Sequence, residues 1–251
     1  MNKFFLIFPP YILFACIAVF FSSILFVVEL YKNKLINNWL PKFIIAVFVS
    51  LYFGATVFSI ISLLLDDIVN NNSKNAIDII TSGKFGLVYY GGLLGVIATT
   101  YFFVKKMFIA SEIYNILSFV IPLFHSISRV GCYFAGCCYG IHSQLLHELP
   151  YFENGFPTGT YRVPTQLYEA CFEFIIFIIL FLLFKFKYQI NLLKAYVFVY
   201  SVFRFNIEFL RADSIRGIIF SLSFSQYISI VIIIWLIFIF IKNRRTKNEY
   251  A

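Results

Sequence analysis

Apolar runs of about 20 residues recur along the chain, broken by short polar segments. Each run is long enough to cross ~30 Å of hydrocarbon as a helix. The pattern predicts seven spans, at roughly 5–30, 42–65, 85–109, 113–131, 166–187, 192–213 and 217–241. The fourth is short and interrupted by Pro122, and the sixth carries charges near its middle. The expected fold class is all-α: one polytopic membrane domain over 1–251 with seven transmembrane helices. Two connections, 66–84 and 141–165, are long. Helix connections in bundles usually take ~2–8 residues, and longer ones tend to be functional. Both fall on one side of a seven-span count and are expected to form a small extracytoplasmic cap.

Composition sharpens this. Hydrophobic residues make up 61% of the 251 and charged residues 13%, against ~45–50% and ~25% in soluble domains. An ordinary soluble protein, a disordered chain and a fibrous repeat are excluded. The net charge of +8 would suggest nucleic acid in a soluble chain. Here it is topological, and no nucleic-acid partner is expected. Segments alternating on one side hold 12 of the 20 basic residues and three acids, a net of +9, against −1 for the remainder. By the positive-inside rule the N-terminus is expected outside and the C-terminus in the cytoplasm. Lys3 and the stretch Leu13-Phe14-Ala15-Cys16 faintly resemble a secretory leader. The apolar run continues for ten residues past Cys16, so a retained first span is expected.

Ionisable residues inside spans are costly and mark function by default. In the sixth, Arg204, Glu208 and Arg211 fall at i, i+4 and i+7 and are expected on one helix face. An intrahelical ion pair explains Arg204 with Glu208, but not why the pair is buried. The fifth opens at Pro164-Thr165, a helix start whose positive end suits Glu169. Glu173 lies a turn deeper, and Gln166, Glu169 and Glu173 share a face. In the fourth, His125 and Arg129 are i, i+4 neighbours before a Gly- and Cys-rich end. The third holds Tyr89-Tyr90-Gly91-Gly92 and Gly95, read either as part of a site or as an aromatic belt with a small-residue packing face. Arginines suit phosphate through their planar fork. An enzyme acting on a phospholipid headgroup would use such a cavity, with no cofactor.

Cys132, Cys137, Cys138 and His142 match no common zinc spacing. No metal is expected; a disulfide involving Cys132 and plain packing remain open.

Three motifs carry a resemblance: Arg129-Val-Gly131-Cys-Tyr-Phe-Ala-Gly-Cys-Cys-Tyr-Gly140, Pro164-Thr-Gln166-Leu-Tyr168-Glu169, and Arg204-Phe-Asn-Ile-Glu208-Phe-Leu-Arg211-Ala-Asp213. Their order and spacing resemble the prolipoprotein diacylglyceryl transferase family. The resemblance implies transfer of diacylglyceryl from phosphatidylglycerol to the lipobox cysteine thiol of secreted prolipoproteins. It implies Arg129 and Arg204 on the phosphate, Glu169 and Glu208 orienting them, and Arg211 drawing headgroups to the outer mouth. Gln166, Tyr168, Gly131, Gly140, Gly91 and Gly92 complete the expected substrate site. Where the family has a histidine before Gly-Gly, proposed as the thiol's base, this chain has Tyr90. Where it often has an asparagine and an acidic residue, Cys132 and Cys137 stand; Gly54-Ala55-Thr56 replaces an expected arginine. His125 is the expected substitute base, with Tyr90, or no base, as the alternatives. The alternative function is a family member with another acceptor or no activity; a transporter would be expected to show an internal repeat.

Overall fold

The computed structural model describes residues 9–70, 88–106, 112–188, 190–212 and 218–249, without side chains at 66, 67, 69, 70 and 243–249. Seven long helices form among them, where the apolar runs predict them: α1 Pro10–Lys32, α2 Leu40–Asn70, α3 Tyr89–Lys106, α4 Glu112–Ala135, α5 Thr165–Lys185, α6 Leu192–Ile207 and α7 Phe224–Glu249. Five of them, α1, α2, α4, α5 and α7, are long and apolar enough to cross a membrane. Large apolar side chains such as Phe20, Phe53, Ile179, Val231, Ile234 and Phe238 lie exposed on these helices, as lipid-facing positions require.

Local chemistry sets the ends. Pro10 opens α1 at a position whose N–H has no helical partner. Pro164 flanks the start of α5. Asn191 caps α6 by accepting the Lys194 N–H at 2.9 Å.

Three expectations need correction. The fourth span is not short: α4 runs for 24 residues straight through Pro122. The sixth does not stay α-helical to 213. It ends at Ile207, tightens into a 3-10 turn at Glu208–Leu210, and Arg211 is extended with φ −83° and ψ 147°. Arg211 therefore leaves the helix face predicted for it, because its backbone pairs with Gly140 instead. The connection at 141–165 contains a hairpin, β1 Leu149–Glu153 with β2 Phe156–Arg162. Asn154 and Gly155 make its turn with φ 49° and 86°, the positive pair that an Asn-Gly turn supplies. Of the other connection, 66–70 ends α2, and 71–84 lies outside the described residues.

The chain forms two units. The first takes α1, α4, the hairpin, α5 and both ends of α6. Within it α4 packs on α1 and α5. Gly131 gives α4 its approach to α1, since a Cβ there would meet that of Phe14 at 2.6 Å. Lys185 of α5 donates to both Glu29 carboxylate oxygens of α1 at 2.8 and 2.7 Å. The second unit takes α2, α3, residues 200–205, α7 and a short pair, β3 Ile218–Ile219 with β4 Leu222–Ser223. Here α2 and α3 touch backbone to backbone: a Cβ on Gly91 would run into the Gly54 carbonyl, and one on Gly54 into that of Gly91.

Candidate active site

Four buried polar side chains of the first unit form one network across α4 and α5. One helical turn puts His125 beside Arg129, whose Nε donates to His125 Nε2 at 3.0 Å. The same Nε lies 2.9 Å from Glu169 Oε2, and Nη2 donates to Glu169 Oε1 at 3.1 Å. Glu169 thus meets the guanidinium edge at two points, the geometry that fixes an arginine most firmly. A guanidinium has no acceptor, so His125 Nε2 must accept, and the proton sits on Nδ1. From there His125 donates to Glu173 Oε1 at 2.9 Å. Glu173 is 0% exposed. The Tyr196 hydroxyl donates to its two oxygens at 3.4 and 3.3 Å. Tyr196 was not among the predicted site residues; in sequence it is one of 17 tyrosines.

A second group surrounds the chain after α4. Gly140 donates its N–H to Val163 O at 3.0 Å and Ile141 to Leu210 O at 2.9 Å. A Cβ on Gly140 would collide with the Val163 carbonyl, so glycine is required for this crossing. It places Arg211 opposite, with Nη1 3.4 Å from Glu208 Oε2 and both side chains buried. Gln166 donates to Cys137 O at 2.7 Å, and its buried Oε1 has no hydrogen-bond partner among the described residues. Cys132, Cys137 and Cys138 carry free thiols. A hydrogen bond with Cys132 pushes the Cys137 thiol up. Hydrogen bonds from Cys132 and Cys137 hold Cys138 well below the usual thiol range, with Arg211 and Arg129 adding to the effect. The disulfide left open for Cys132 is not formed.

The family model for prolipoprotein diacylglyceryl transferase matches residues 6–242. The chain belongs to this family. Curated relatives carry the name phosphatidylglycerol–prolipoprotein diacylglyceryl transferase. That of Clostridium tetani is 35% identical over 183 residues, covering 70% of this chain and 72% of its own. That of Streptococcus sanguinis is 30% identical over 225 residues, covering 87% and 85%. One from Clostridium botulinum strain Hall is 33% identical over 219 residues, covering 85% and 83%.

In this prolipoprotein diacylglyceryl transferase family member the remaining predicted residues have structural tasks of their own. Tyr168 reaches the hairpin connection, its hydroxyl donating to His147 O at 3.4 Å. In the second unit, Gly91 and Gly92 lie buried against α2. Tyr90 is buried too, its hydroxyl 2.6 Å from Ser229 Oγ. Ser229 gives its proton to Ser225 O at 2.9 Å, so Tyr90 is the donor. Tyr90 also packs edge-on to Tyr200 with ring centroids 5.4 Å apart. Arg204, likewise in the second unit, is 4% exposed.

Proposed function

We propose that the chain transfers a diacylglyceryl group from phosphatidylglycerol to the cysteine thiol of a prolipoprotein. The observation that carries this reading is Arg129, buried in a spanning helix and gripped on one edge by Glu169 and His125. Arg129 Nη1 also lies 4.0 Å from Cys132 Sγ, and the guanidinium held in this way would receive phosphate.

The reaction places few demands on the protein. The acceptor brings the nucleophile. Its sulfur attacks the glyceryl carbon that bears the phosphate, the C–O bond breaks, and glycerol phosphate leaves with the electron pair. The barrier lies in the charge gathering on the leaving phosphate, which preorganised arginines in a dry site stabilise. Arg129 takes that role, and the family resemblance implies the same task for Arg204. Glu169 orients Arg129, and Glu208 holds Arg211, which draws headgroups in. Gln166 Oε1, an unused buried acceptor, suits a glycerol hydroxyl of the headgroup.

His125 acts as a positioning residue. Its Nε2 lone pair is committed to Arg129, and general base action there would first require Arg129 to leave. Tyr90 donates to Ser229, and a phenol is a poor base for a thiol. Neither side chain is needed if the acceptor reaches the site as thiolate. The wider reading has seven spans, α3 and α6 included, in a bacterial inner membrane. The N-terminus lies outside, the C-terminus inside, and the hairpin forms part of an outer cap.

The test uses purified chain in mixed micelles of phosphatidylglycerol with a lipobox peptide. Release of glycerol phosphate, with the peptide gaining the diacylglyceryl mass, is expected. A serine peptide should give none. Absence of both products from folded protein would overturn the reading.

A further inference from the structure

Cys16 and Cys171 lie exposed on α1 and α5, whereas the other three cysteines converge. The Sγ atoms of Cys132, Cys137 and Cys138 all lie within 4.8 Å of one another. Tetrahedral thiolates at ~2.3 Å from zinc stand about 3.8 Å apart, so the trio needs only a small contraction to bind one ion. The chain is shaped for this. Cys132 sits in the last turn of α4, and Cys137 N–H donates to its carbonyl at 3.2 Å. Cys138 adopts a left-handed φ of 58°, uncommon without glycine. The turn is pinned from α5: Thr165 donates to Cys138 O and Gln166 to Cys137 O, each at 2.7 Å.

Three soft donors select a thiophilic ion over magnesium or calcium. Among the described residues no fourth His, Cys, Asp or Glu joins the group. Three protein ligands with an open position is the pattern of a reactive zinc rather than a structural one. Three thiolates on zinc leave one net negative charge. The Arg129 guanidinium, 4.0 Å from Cys132 Sγ, offsets it.

We propose that Cys132, Cys137 and Cys138 form a three-thiolate zinc site whose open position takes the acceptor's cysteine thiol. The zinc site stands on geometry alone; its acceptor role rests on the transferase reading. A thiol that coordinates zinc is deprotonated, its proton passing to solvent. The sulfur then forms its bond to the glyceryl carbon as the C–O bond breaks and glycerol phosphate departs. No oxidant or reductant is needed. The arrangement supplies the thiolate that neither Tyr90 nor His125 is placed to generate.

The experiment takes the full chain in detergent with Cys16→Ser and Cys171→Ser, which leaves three thiols of five. Cobalt(II) is the probe. One ion per chain should bind with a thiolate-to-cobalt charge-transfer band, zinc should displace it, and chelation should remove it reversibly. Cys132→Ser and Cys137→Ser should each lose the band's intensity and weaken binding at least tenfold. A lipobox cysteine peptide should shift the ligand-field bands and a serine peptide should not. No band in reduced protein, a band unchanged by Cys132→Ser, or a disulfide within the trio in protein taken from membranes would overturn the site. A site that forms but ignores the cysteine peptide would overturn its acceptor role. Cobalt binding is read without turnover, so a chain that binds cobalt yet releases no glycerol phosphate loses the transferase reading and keeps the metal site.

Discussion

Replacing His125 separates a base from a positioning residue, because its two nitrogens do different things. Nε2 accepts from Arg129 at 3.0 Å and Nδ1 donates to Glu173 at 2.9 Å. In His125→Leu both are lost. Arg129 keeps its contact with Glu169, and buried Glu173 keeps the two longer bonds from Tyr196. Hydrogen bonds to charged groups are worth roughly 1.5–3 kcal/mol each, so the loss of both should destabilise His125→Leu by about 3–6 kcal/mol. A slackened arginine edge misplaced by about 1 Å costs on the order of 100-fold in turnover. His125→Gln puts an amide where Nε2 stood and can still accept from Arg129. It should keep turnover within about tenfold of the parent. His125→Asn reaches only the Nδ1 position and should resemble the leucine variant. Glycerol phosphate release gives kcat and KM, with a thermal melt in detergent to confirm folding. A base with a pKa near ~6.5 would also give an acidic limb in the pH profile that every variant abolishes. If His125→Gln is folded but as inactive as His125→Leu, and that limb disappears with it, the positioning argument is wrong.

Arg204→Lys should be nearly as damaging as Arg204→Ala, each losing about 10²–10³-fold in kcat, since lysine keeps the charge without the fork; near-normal turnover would reduce Arg204 to a counter-charge. Glu29→Gln removes the charge and one of the two oxygens that accept from Lys185, and because the Lys185 side chain is 38% exposed the loss should be about 1–2 kcal/mol rather than that of a fully buried pair, read as a lower melting temperature with kcat unchanged. Gly91→Ala drives a methyl into the Gly54 carbonyl and should cost about 2 kcal/mol or more, with a compact alanine elsewhere on α3 as the control in the same melt. Reporter fusions at Lys34, Lys106, Lys187 and Lys247 should read cytoplasmic and those at Ser73 and Asn154 external; an external reading at Lys106 would break the span count.

The positions of the helices and the membership of the network's core were written in local pattern. Apolar runs announce the helices, and five of them, α1, α2, α4, α5 and α7, are long and apolar enough to cross a membrane, because a helix in lipid must be apolar over its own length and satisfies its backbone internally. The 3.6-residue repeat alone puts His125 beside Arg129, and Gln166, Glu169 and Glu173 on one face, and all five side chains are buried. The Asn154-Gly155 turn is legible too, since Asn-Gly is a two-residue hairpin signal.

What the sequence left undecided depends on contacts between residues far apart in the chain. Arg211 leaves its helix because Gly140 offers a backbone partner 71 positions away. Tyr196 reaches Glu173, and Gln166 and Thr165 pin a turn almost 30 residues earlier. The same turn gathers Cys132, Cys137 and Cys138, whose spacing matches no familiar metal pattern, into one cluster. Periodicity governs which residues share a face within about two turns. It carries no information on which face meets which, or on where a chain abandons its own hydrogen bonds for those of another segment. Those choices are made by packing, and they are the ones that shape the chemistry here.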